Sequence, residues 1–151
     1  MNFEDAITAH IKWKVRLAMF VDGTGNEELR SAAVCKDNQC VLGQWIHGHG
    51  VEYSPFTHYH ELVRKHAKFH VCAAEIVRKV ENADQAGARS VLGSAFAAAS
   101  KETITTILHL WREARRRDRS ADWPGARCEA QSSSPTPSRR GTVCGSQVIS
   151  R

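Results

Sequence analysis

Along the first stretch of chain, apolar residues return at Phe3, Ile7, Leu17 and Val21, and the same heptad-like stripe carries His10 and Lys14 as its two polar members. Recurrence at steps of three and four puts residues on one face of an α-helix, so the pattern predicts a helix from about Phe3 to Val21. Asp22-Gly23-Thr24-Gly25-Asn26 stops it, because glycine and Asx residues favour turns. A short element is expected from about Cys40 to Ile46, capped by Asp37 or Asn38 and ended by Gly48 and Gly50. The third helix opens at Ser54-Pro55 and runs through Phe56, Tyr59, Val63, His66, His70, Ala73, Val77 and Val80. That is a core-facing stripe, and both of its interruptions are histidines. A fourth helix is predicted from about Gln85 to Arg115, with Leu92, Ala95, Phe96, Ala99, Thr103, Ile107, Leu110 and Ala114 inward.

Amphipathic segments with short joints predict an all-α fold: a four-helix bundle with a short extra helix, spanning residues 1–117. The connection from Val21 to Cys40 is the one long joint, partly helical around Glu27 to Val34. After about Arg117 the chain changes character. Ser132-Ser133-Ser134-Pro135-Thr136-Pro137-Ser138-Arg139-Arg140-Gly141 cannot bury enough apolar surface to offset the entropy of ordering it, so residues 118–151 are expected to form a disordered tail.

Charge adds little to this picture. The formal net charge is +5, but much of the excess lies at Arg112, Arg115, Arg116, Arg117, Arg119, Arg127, Arg139, Arg140 and Arg151. A basic terminal run reads as a solvated tail, and its placement argues against a nucleic-acid partner. No apolar run approaches the roughly 18 residues needed to cross a bilayer, and Met1-Asn2-Phe3-Glu4-Asp5 lacks the plan of a signal peptide. The expectation is a cytoplasmic protein whose five cysteines are thiols or metal ligands rather than a disulfide framework.

The histidines carry the chemistry. His66 and His70 stand four apart on one helix face, so two imidazoles project about one turn apart and can close on one ion. Histidine on an inner stripe is costly unless its polar atoms find partners. His10 repeats the anomaly on the first helix. Cys40 stands at the expected start of the short second element, where helix N–H groups lower a thiol's pKa and favour the thiolate that binds zinc. The bland alternatives are hydrogen-bonded core histidines and a small buried thiol. One sulfur and three imidazoles suit tetrahedral Zn2+, and no carboxylate on the inner stripes completes an iron site. Four protein donors leave no open position, which argues against an enzyme.

Three linked motifs carry a resemblance: Ala9-His10-Ile11-Lys12-Trp13-Lys14, Cys40-Val41-Leu42-Gly43-Gln44-Trp45-Ile46 and His66-Ala67-Lys68-Phe69-His70. In order and spacing they resemble the bacterial chemoreceptor zinc-binding domain, over roughly residues 5 to 115. The resemblance implies a bundle whose zinc is held by His10, Cys40, His66 and His70. It also implies cytoplasmic signal transduction linked to a chemoreceptor (chemotaxis) or a diguanylate cyclase, commonly as a homodimer, with zinc or oxidation at the bound cysteine altering output. Trp13, Gly43 and Trp45 match family positions and are read as packing: indole rings sheltering the site, glycine allowing close helix approach. After the bundle the sequence reads as the Arg/Ser/Pro-rich tail alone, with no signalling domain expected in it. The chain is therefore expected either to act alone through a partner or to be a truncated or frame-shifted form of a longer one.

Other histidines and cysteines are weaker candidates. His47, His49, His58 and His60 form His-x-His pairs that do not align on a helix and are expected to face solvent, with a hydrogen bond to a ligating ring open to one of them. His109 reads as an interhelical or surface residue. Cys35 lacks an adjacent helical element, Cys72 faces away from the His66/His70 side by its offset, and Cys128 and Cys144 lie in the tail. Two rival functions stand beside the sensor. A zinc-dependent hydrolase would need a base such as Glu61 or Glu75, and a metal-free adaptor would pair these histidines with carboxylates.

Overall fold

The computed structural model describes residues 3–119, and in these the fold is all-α. Helix α1 spans Phe3–Val21, as its periodicity predicts. Its buried residues are Ala6, His10, Leu17 and Val21, with Trp13 half-buried and Lys14 exposed. The inward stripe therefore passes through Trp13, one step of three from His10, and Lys14 falls on the solvent side.

The joint after α1 contains the four-residue α2, Ser31–Val34, and a 3₁₀ turn, Asp37–Gln39. Helix α3, Val41–His47, is capped by Cys40 rather than by Asp37 or Asn38: the Cys40 sulfur accepts the Gly43 N–H at 3.2 Å. A cap residue needs extended backbone and an acceptor atom on its side chain, and Cys40 supplies both, with φ −80° and ψ 160°. Gly48 ends α3, and a second 3₁₀ turn, His49–Tyr53, leads to α4 at Thr57–Glu81, which begins three residues after Ser54. The predicted fourth helix is two: α5, Gln85–Gly93, and α6, Ala95–Arg119. The break falls at Ser94, whose hydroxyl bonds the Ser90 carbonyl at 2.6 Å and whose backbone leaves helical space at ψ −94°. A serine that satisfies a carbonyl one turn back competes with helix propagation. Helix α6 continues two residues past the predicted bundle end at 117, and the rest of the predicted tail lies outside the described residues.

Helices α1, α4 and α6 pack lengthwise, with α2, α3 and α5 closing the sides. Two apolar clusters result. One gathers Leu17, Val21, Phe69, Ile76, Val77, Phe96 and Ala99. The other gathers Leu42, Trp45, Ile46, Phe56, Leu62, Ile107 and Leu110. Trp13 touches both, and between them runs a buried polar seam: His10, His66, His70, Ser100, Thr103 and Thr106. No described helix is long and apolar enough to cross a membrane.

Candidate metal centre

Three helices and a helix cap deliver the polar seam to one place. The α4 stripe brings His66 and His70 inward one turn apart, their ring centroids 4.7 Å from each other. Cys40, held at the mouth of α3 by its own capping bond, turns its sulfur to His66 Nε2 at 3.3 Å. One donor atom from each of Cys40, His66 and His70 lies within 4.8 Å of the others, and all three residues are buried. Two ligands of one tetrahedral zinc, with bonds of about 2.3 Å to sulfur and 2.0–2.1 Å to nitrogen, stand roughly 3.6 Å apart. The sulfur–nitrogen separation is already close to that edge.

His10 comes to the side of this trio and is not among its three mutually close donors. It is 1% exposed, lies over the Phe69 ring at 4.1 Å between centroids, and has Ser100 Oγ at 3.1 Å from its Nε2. Ser100, on α6, is a member of the seam that periodicity does not single out; a serine among alanines on an inner face is the only signal. His70 Nδ1 donates to the Val34 carbonyl at 2.7 Å, which fixes the tautomer and leaves Nε2 with its lone pair. Among the described residues, three buried side-chain nitrogens or oxygens have no hydrogen-bond partner: His10 Nδ1, His66 Nδ1 and His70 Nε2. Each such atom costs about 1–3 kcal/mol when left unmade. The Cys40 sulfur, the His66 nitrogen that faces it and the free His70 Nε2 are three donors of a zinc site, and the residues fit the metal; the unpartnered Nδ1 atoms of His10 and His66 stand beside that trio.

The electrostatics keep the imidazoles ready to ligate. Burial, then the charges of His70 and Lys14, lowers the His10 pKa to about 4. Burial, then the neighbouring histidines, lowers His66 to about 3. His70 is lowered by burial as well, against the opposing pull of its Val34 bond. At Cys40 burial wins and raises the thiol pKa, while the Gly43 and Leu42 N–H groups oppose it. The expected lowering at a helix N-terminus is therefore present but outweighed, since desolvation of a thiolate exceeds what the backbone donors return.

His10 and His66 stay neutral in the fold below their ordinary value of 6.5, so only the unfolded chain takes up their protons as pH falls. The metal-free chain should hold nearly constant stability from about pH 7 to 8 and lose roughly 2–3 kcal/mol per pH unit around pH 5. Urea melts in chelator from pH 8 to 4.5 measure this; a flat profile would show the imidazoles charging freely.

The remaining candidates fall elsewhere. Trp13 packs its indole edge-on to His70 at 5.5 Å, whereas the ring contacts of Trp45 are with Phe3 and Tyr53. Gly43 permits a close approach, but to the 3₁₀ turn at Asp37 and Asn38 rather than to a helix. His47, His49 and His60 are exposed, and half-buried His58 bonds Glu113 at 2.7 Å. Exposed His109 sets its ring against that of His58, at 5.2 Å. The hydrogen bonds of the three seam rings run to Ser100, Cys40 and Val34 instead. Cys35 caps the end of α2, exposed, so a helical element does adjoin it, on its N-terminal side. Cys72 is buried in the Phe69 cluster. Cys128 and Cys144 lie outside the described residues. No curated protein and no solved structure matches the chain. Residues 10–77, a stretch that begins at His10 and takes in Cys40, His66 and His70, match the family of the chemoreceptor zinc-binding domain.

Proposed function

We propose that this chain is a cytoplasmic zinc-binding sensory and regulatory domain, with Cys40, His66, His70 and His10 as a closed donor set of one thiolate and three imidazoles. The single observation that carries it is the buried trio of Cys40, His66 and His70, one donor atom of each within 4.8 Å of the others, with His70 Nε2 left without a hydrogen-bond partner. Bound zinc would tie α1 to the start of α3 and to α4 at one point, whereas the seam's hydrogen bonds run from α1 to α6, from Cys40 to α4 and from α4 to α2. His10 belongs to α1, Cys40 to the start of α3 and both remaining donors to α4, so occupancy would set how three elements pack. His10 must turn toward the trio to complete the set, and Ser100 and Phe69 are the groups against which its ring moves.

Loss of zinc, or oxidation of the Cys40 sulfur, would loosen those elements and change the surface offered to a partner. Domains of this family work in chemoreceptor and other signalling proteins, which favours a chemotaxis or cyclic-di-GMP output. A second copy of the chain is the natural first partner: Ile11, Val15 and Met19 form an exposed apolar row on α1. An adaptor would pair the seam histidines with acids, and their hydrogen bonds run to Ser100, Cys40 and Val34 instead; of the two bases a hydrolase would use, Glu61 pairs with Lys65 at 3.9 Å.

Metal analysis of the chain purified without chelator should find one zinc per chain. Metal-free protein that cannot be reloaded with zinc would overturn the assignment.

A further inference from the structure

Two of the four candidate donors border open space and two do not. Cys40 and His70 line a cavity of about 370 Å³ between α1, α2 and the 3₁₀ turn. His10 and His66 are absent from its lining, 1% exposed, and backed by Phe69, whose ring stands 4.1 Å and 6.4 Å from theirs. The approach from solvent to the donors therefore runs through this cavity. Its charged lining is Arg16, Arg30, Lys36 and Glu28. Arg16 pairs with Glu27, and Arg30 reaches Glu28 at 3.5 Å with both side chains largely exposed. Lys36 has no ion pair among the described residues.

With Arg16 offset by Glu27 and Arg30 by Glu28, the passage keeps a surplus of one cation, Lys36, which disfavours a bare divalent cation relative to an anion. At such an entrance an anionic ligand of the metal is favoured over the bare ion as the carrier. We propose that this cavity is an exchange port for small anionic metal chelators, which meet the ion on the Cys40 and His70 side and carry it in or out as a complex. Lys36 and Arg30 draw the chelator in; Cys40 and His70 are the donors it displaces first. The proposal rests on the zinc reading above.

The test compares zinc release from the zinc-loaded full chain to an anionic chelator, EDTA, and to an uncharged one, 1,10-phenanthroline. In the double variant Arg30→Glu/Lys36→Glu, release to EDTA should slow roughly tenfold at low ionic strength, and release to phenanthroline should stay within about twofold. Lys36→Arg should keep the original rate with both. In the unaltered chain, raising salt should erode the advantage of EDTA over phenanthroline, because lining charges are screened within about 10 Å at 0.1 M. Equal slowing of both chelators in the double variant, or a salt-independent ratio, would overturn the port while leaving the zinc site intact. A chain that takes up no zinc overturns both.

Discussion

Cys40→Ala should weaken zinc binding about 10²–10³-fold, the largest loss expected from removal of any one side chain. A structural zinc site is worth about 10–16 kcal/mol, so an even share for one of four donors is roughly 2.5–4 kcal/mol. Cys40 is worth no less than that share, because it does two further things. Its sulfur caps α3 through the Gly43 N–H, and it is the hydrogen-bond partner of His66 Nε2. The alanine variant therefore loses a donor, a cap and the partner of a fully buried ring together. The other buried cysteine supplies the control: Cys72 packs in the Phe69 cluster away from the trio, so Cys72→Ala should change stability through packing and leave zinc affinity unaltered. Competition titration against a chromophoric chelator reads both variants. Wild-type affinity in Cys40→Ala would remove the thiol from the donor set.

What the chain makes legible and what it hides divide along one physical line. Periodicity reports which face of a helix is inward, and so α1 and the inner histidines of α4 can be read directly from spacing. It does not report which of two adjacent residues finishes the stripe, and Trp13 rather than Lys14 does so because an indole can fill the gap beside His70. Nor does it report local competition for backbone groups. Ser94 splits the fourth predicted helix by bonding Ser90, and Cys40 displaces Asp37 and Asn38 as the cap of α3. Both outcomes depend on a hydrogen bond between near neighbours for which the sequence offers an equally good alternative. The thiol pKa is hidden for a different reason. The helix-terminus effect is local and visible, whereas the burial that outweighs it comes from residues distant in sequence. The gap between His10 and the other donors is likewise a matter of how α1 seats against α6, through Ser100, ninety residues away.

Gly43→Ala should be nearly as damaging as loss of the thiol, although it removes no donor. A Cβ built on Gly43 would overlap the Asp37 carbonyl oxygen, with the Asp37 carbonyl carbon at 2.8 Å and the Asn38 Cα at 3.0 Å. All three are backbone atoms of the 3₁₀ turn, so no side chain can swing aside. Either the turn retreats or the first turn of α3 lifts, and both carry Cys40, which joins them. The displaced sulfur would lose the Gly43 N–H and move relative to His66. We expect about 2–4 kcal/mol of destabilisation, in the range of a forced core rearrangement, and zinc affinity lowered at least tenfold. Gly93→Ala is the matched comparison. It lies at the end of α5 with nothing within 4 Å of the added methyl and no positive φ, so it should be neutral or stabilising by up to about 1 kcal/mol, with zinc binding unchanged. Denaturant melts of both variants with and without zinc separate the two parts of the Gly43 effect. Equal loss in both conditions would mean that the glycine supports only the fold. A larger loss in the zinc-bound form would mean that the 3₁₀ turn also sets where the sulfur stands.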